Sequence, residues 1–143
     1  MIAHLLSILA FMIVTFAAQG LSHFVLNKEH FDSVGFLRPE PIMAMGFTVM
    51  IIQGAIISIG LRVWKGATTQ IKDGIFISLL FGAFLVSYIA ITEPAKYTVP
   101  SIKNWIQIEL TVGLLQFGFF GLALGWIHQK FRSGNKYQNT YVN

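Results

Sequence analysis

Seven side chains in this sequence are of the types and in the places that could do chemistry together: Gln19, His23, Arg38, Glu93, Lys96, Glu109 and Gln116. Each lies in or beside a long apolar stretch. Polar groups inside a bilayer are costly and usually have a function or a partner. Thr15, Gln19 and Ser22 share one helical face, with His23 beside them. Arg38-Pro39-Glu40-Pro41 leads into a second stretch, which carries Gln53 near its middle. Glu93-Pro94-Ala95-Lys96 closes a third. In the fourth, Gln107 is followed by Glu109, Gly113 and Gln116 along one face. Nearly all of these fall toward the same end of the stretches, so the pattern predicts one polar cluster opening outward.

Such a cluster suits three kinds of chemistry. In the structural one, Glu109 pairs with Lys96, Arg38 or a helix end, and the amides bond across helices. In the second, the mixture of His, Glu, Lys and Gln holds a polar headgroup while the apolar bundle holds a tail. In the third, His23, Glu93 and Glu109 ligate a metal. These three come from separate stretches and lack a Glu-x-x-His spacing. A haem would need two His at matching depth, and the same-side pairs are His4 with His128 and His23 with His30. The cofactor is left unknown. Glu93 or Glu109 could also carry a proton. The sequence holds no Gly-x-Ser-x-Gly, no His-Glu-x-x-His and no P-loop. With no cysteine, disulfides, thiolate metal sites and cysteine nucleophiles are excluded. No catalytic residue is assigned, and the reading leans away from an enzyme.

The elements that position these groups follow from composition. Hydrophobic residues make up 55% of the 143 and charged residues 11%, against roughly 25% charged in a soluble domain. A soluble surface would lack charge; lipid-facing helices need none. Crossing a hydrocarbon layer of about 30 Å takes about 20 mostly apolar residues. Four stretches qualify: 2–26, 42–61, 74–92 and 105–127. Their continuous apolar runs exclude the short alternating strands of a membrane barrel. The first stretch has a rival reading as a signal peptide, with Ala17-Ala18-Gln19-Gly20 as its small residues. The run is too long for that, and no Lys or Arg precedes it.

Short connections imply an all-α, antiparallel four-helix transmembrane bundle over 1–130, followed by a polar tail, 131–143. One side carries Arg62, Lys65, Lys72, Lys130, Arg132 and Lys136 against Asp73 alone. The other carries Lys28, Arg38, Lys96 and Lys103 against Glu29, Asp32, Glu40, Glu93 and Glu109. Basic excess stays cytoplasmic, so both termini are placed inside. Trp64, Trp105, Trp126, Tyr88 and Tyr97 stand near span ends, as interfacial aromatics do. The ten basic residues are spread too thinly for a nucleic-acid footprint.

Membrane helices pack closely through small residues. The sequence offers Gly54 and Ser58 on the second span, then Gly74, Ser78 and Gly82 on the third. The fourth offers Gly118, Gly121 and Gly125, a row that meets bulky Leu114 one turn further out. Phe117, Phe119 and Phe120 point in several directions, with at least one toward lipid. The glycine rows serve packing within the bundle or, alternatively, a homo-oligomer or a partner helix.

Glu93-Pro94-Ala95-Lys96-Tyr97, Val99-Pro100-Ser101, Trp105, Glu109, Gly113, Gln116-Phe117, Gly121 and Gly125 together resemble small four-span bacterial membrane proteins that carry no assigned function. The resemblance covers about a third of the chain. It implies a bacterial inner-membrane home and supplies no activity. The expected function is therefore that of a non-enzymatic accessory or structural subunit. It would dock on partner membrane helices through its tail and glycine grooves, with membrane lipids and proteins as partners and no nucleic acid. The alternative is a bundle that binds a small molecule or lipid at the cluster around Glu109, with a role in transport among its uses. A haem or metal protein is the third reading.

Overall fold

A computed structural model describes residues 1–38 and 40–131. The tail 132–143, and with it the docking role expected for 131–143, lies outside the described residues apart from Phe131. Among the described residues every regular element is a helix. Four helices are long and apolar enough to cross a membrane: Ile2–Leu26, Met43–Thr68, Ile71–Lys96 and Ile102–Lys130.

The first comprises α1 (Ile2–Leu21) and a π-helical turn, Ser22–Leu26. A short helix, α2 (Lys28–Asp32), lies in the connection that follows. The next span is α3 (Met43–Lys65), longer than the apolar pattern over 42–61 implies. Arg62 and Lys65 can continue a helix because cations suit its C-terminal turn and long stems reach for polar surroundings. Gly66, at φ +57°, then ends it in a backbone region that L side chains rarely adopt.

The third span begins at Ile71 rather than 74, as α4 (Ile71–Ser87). Polar Gln70 and Asp73 are the cause, since they form a capping box in which the Gln70 N–H donates to Asp73 Oδ2 at 2.8 Å. It continues through a π-helical turn, Tyr88–Thr92, into α5 (Glu93–Lys96), whose first turn accepts Pro94. The last helix, α6 (Ile102–Lys130), starts where Ser101 Oγ accepts the Asn104 N–H at 3.3 Å.

The closest packing joins α4 to α6. A Cβ built on Gly125 would lie 2.5 Å from the Ile71 carbonyl oxygen, and one on Gly121 would lie 2.7 Å from Ile75 Cα. A Cβ on Gly82 would lie 2.5 Å from the Phe117 ring. Ser78 Oγ donates to the Phe117 carbonyl at 2.7 Å. Gly113 receives the Val86 side chain. Gly74, Ser78, Gly82, Gly121 and Gly125 are therefore all used inside the chain. The row on α6 continues through Phe117 and Gly113. The small-residue pattern places Gly118 and Leu114 on that row, but Gly118 meets nothing within 4 Å and Leu114 is exposed. The contact follows four-residue steps along α6, and the three-residue step to Gly118 leaves that face.

Helix α1 lies across α3 and α6. A Cβ on Gly54 would lie 3.1 Å from Phe11 Cβ and 3.2 Å from Ile8 Cα. The core is Phe11, Ile57, Leu61, Phe120 and Leu124, with Phe117 beside them. Phe119 faces outward.

Gly125→Ala places a methyl group against backbone that cannot step aside and should destabilise the protein by about 1–3 kcal/mol, the usual cost of overpacking. Gly118→Ala should change stability by less than about 0.5 kcal/mol. Unfolding in mild detergent compares the two; equal effects would contradict the contact.

Candidate functional site

The seven expected side chains do not form one cluster. Six of them fall into two groups, one inside the bundle and one at a cleft, Lys96 turns away from both, and a third polar group at the opposite end contains none of the seven.

The first group is a chain of amides inside the bundle. Gln19 Nε2 donates to Gln116 Oε1 at 2.8 Å, and Gln116 Nε2 donates to Thr15 Oγ1 at 3.0 Å. Both Gln116 donors and acceptors thus join α6 to α1. The same face carries Glu109, 6% exposed, with no hydrogen bond or ion pair to any described residue. Half-buried Glu93 lies within electrostatic range of it. Neither Lys96 nor Arg38 reaches Glu109. Lys96 Nζ instead donates to Tyr88 Oη at 3.4 Å and lies over that ring.

The second group surrounds a cleft of about 750 Å³ between the end of α1, α2 and the start of α3. His23 and Arg38 line it, with Asp32. Its walls are Phe24, Phe31, Phe36, Leu37 and Met45. A π-helical turn at Ser22–Leu26 shapes the α1 side, and Asn27 Nδ2 holds it by donating to Ser22 Oγ at 3.1 Å. π turns inside helices often occur at functional sites. His23 Nδ1 lies 3.0 Å from the Gln19 carbonyl, and its ring stacks on Phe31 at 3.7 Å. Phe31 in turn packs edge-on to Trp105 at 6.0 Å. Trp105 Nε1 donates to the Ile89 carbonyl at 3.0 Å, within the π turn of the third span. This aromatic layer closes the end of the bundle. His30 Nε2 is buried there without a hydrogen-bond partner. Asp32 is engaged by Lys28, whereas Arg38 has no partner among the described residues.

The third group lies at the opposite end and the sequence pattern did not unite it. Ser58 Oγ is 2.9 Å from His4 Nδ1 and 2.9 Å from His128 Nε2. The imidazole centroids are 5.3 Å apart, edge to face. His128 is 3% exposed and Ser58 fully buried, so neither is a solvated interfacial group. Same-side placement of His4 and His128 was legible; Ser58, read for packing alone, supplies the link.

These ends are separated by Phe11, Phe120 and Leu124, all fully buried. Among the described residues no group of three or more His, Cys, Asp or Glu could hold a metal ion. The trio His23, Glu93 and Glu109 is accordingly not gathered into such a group, and Ser58 Oγ fills the point on which His4 and His128 converge. No family model matches the chain, and no curated protein or solved structure matches it either.

In a double-mutant cycle, Gln19→Ala and Gln116→Ala should couple by about 0.6 kcal/mol, the average for hydrogen bonds between membrane helices, and by no more than about 1.7. Additive effects on unfolding would contradict the bond between them.

Proposed function

We propose that this protein is a membrane-embedded binding protein whose cleft beside α2 takes a small amphipathic molecule carrying an anionic group. The observation that carries the reading is the cleft itself. Its volume, about 750 Å³, lies within the roughly 300–1,000 Å³ typical of ligand sites. Aromatic and aliphatic walls suit an apolar body. Arg38 supplies a charge that no described carboxylate neutralises, with His23 beside it. A guanidinium matches the geometry of a phosphate or carboxylate.

We place the four spans antiparallel in a bacterial cytoplasmic membrane, with the His4 end inside and the cleft outside. Supporting this, partners along α6 fall in number as those along α4 rise, from Ile71 with Gly125 to Val86 with Gly113. The distribution of Lys and Arg agrees with that orientation. The glycine rows that a partner helix would need are largely filled from within the chain. This favours binding over the role of an accessory subunit.

Trp105 reports on the cleft through Phe31 and Phe36, whose rings lie 6.0 and 6.2 Å from it. With Trp64→Phe and Trp126→Phe as background, titration of lysophosphatidic acid in mild detergent should change Trp105 emission saturably. Arg38→Gln should weaken that binding about tenfold, the loss of one charge-assisted hydrogen bond. Unchanged affinity would refute the assignment of Arg38 and, with it, the anionic ligand.

A further inference from the structure

The His4 end carries a second site. A cavity of about 140 Å³ there is walled by His4, Arg62 and His128, from α1, α3 and α6. We propose that it holds the phosphate group of an anionic phospholipid.

The charge is one-sided. Arg62 brings a positive charge to this space and two imidazoles bring ring nitrogens, with Met1 beside them, and among the described residues no carboxylate lines it. Asp73, the acid at this end of the bundle, is already engaged: Lys65 Nζ is 3.2 Å away, and the Gln70 N–H donates to it. An anion there would supply Arg62 with a counter-charge.

The donors are held in place. Ser58 Oγ fixes both rings, at 2.9 Å each. A hydroxyl has a single hydrogen, so Ser58 donates to one ring and accepts an N–H from the other. The ring that accepts, when neutral, keeps its second nitrogen as an N–H donor. Arg62 Nη1 donates to the Gly66 carbonyl at 2.9 Å. That bond anchors the guanidinium at one corner and leaves most of its five donors for a ligand.

The size and depth suit a phosphate. A water occupies about 30 Å³, so the cavity has space for a phosphate group and a water or two but not for an acyl chain. Trp64 and Trp126 are half exposed, with Lys65 Nζ 4.2 Å and Lys130 Nζ 4.7 Å from their ring centroids. Tryptophans beneath lysines mark the headgroup level of a membrane. Arg62 and His128 each lie two residues from one of these tryptophans, so the cavity opens where lipid phosphates are.

The test is native mass spectrometry of the full chain in mild detergent micelles doped with phosphatidylglycerol. In protein carrying Arg38→Gln, which removes the anion-binding group of the cleft at the other end, we expect one retained lipid, whose occupancy falls about tenfold when Arg62→Gln is added. Lys130→Gln, on the surface nearby, should retain it. Equal retention in folded Arg62→Gln overturns the proposal. So does an equal loss in Lys130→Gln, which would mean diffuse attraction. Displacement of the lipid by equimolar inorganic phosphate would give the site to the free ion and overturn the lipid source. Circular dichroism checks folding. If Arg62→Gln does not fold, Arg62→Lys is read instead: it keeps the charge and loses the fork, so a partial loss is expected and full retention contradicts the proposal.

Discussion

Backbone-to-backbone contact between α4 and α6 governs where every polar group in this bundle can lie. In lipid, apolar side chains gain nothing by leaving their surroundings, so helices stay together by close packing and a few hydrogen bonds. Gly74, Gly121 and Gly125 remove the side chains that would hold α4 and α6 apart. Ser78 adds a hydrogen bond across the gap to the Phe117 carbonyl. With that pair fixed, the adjacent face of α6, about 100° round the helix, faces α1. Gln116, Phe120 and Leu124 then meet Thr15, Gln19 and Phe11, and His128 arrives beside His4 and Ser58.

The core that results carries polar groups toward both ends and an aromatic and aliphatic layer between them. Phe11 packs edge-on to Phe120 at 4.8 Å, with Leu124 buried nearby. This layer lies between the two polar ends. The cleft beside α2 faces aromatic rings and Arg38, while the cavity at His4 faces imidazoles and Arg62.

Much of the architecture was legible from local rules. Continuous apolar runs of the right length gave four helices, and the spacing of Gly74, Ser78 and Gly82 and of Gly121 and Gly125 marked rows of small residues without saying which rows meet. Boundaries shifted where polar residues extend helices: Gln70 with Asp73 at one start, Arg62 and Lys65 at one end. The site was less legible. Proximity of Glu109, Arg38 and Lys96 along the spans says only that they share a depth. Glu109 and Lys96 take faces set by rotation about their helix axes, which the π turn at Tyr88–Thr92 alters beside Lys96, and Arg38 lies in the connection before α3, whose path no helical periodicity fixes. Hence Lys96 turned to Tyr88 and Arg38 to the cleft, and Glu109 stayed without either. Helix α2 escaped notice because five polar and aromatic residues carry no usable periodicity.

The account rests on α4 and α6 lying against each other in opposite directions. The chain has no cysteine, so spin labels can be attached at substituted Phe76, Leu110 and Trp126, all exposed side chains, without background. Pulsed electron paramagnetic resonance on labelled protein diluted with unlabelled protein in lipid vesicles would give distances within single chains. Sixteen residues of helix at 1.5 Å each separate positions 110 and 126 by about 24 Å. Because Gly121 lies against Ile75, position 76 is level with about residue 120, and antiparallel packing predicts a distance from 76 to 126 shorter by about 6 Å than the one from 76 to 110. The reverse order would contradict it, and with it the placement of both sites.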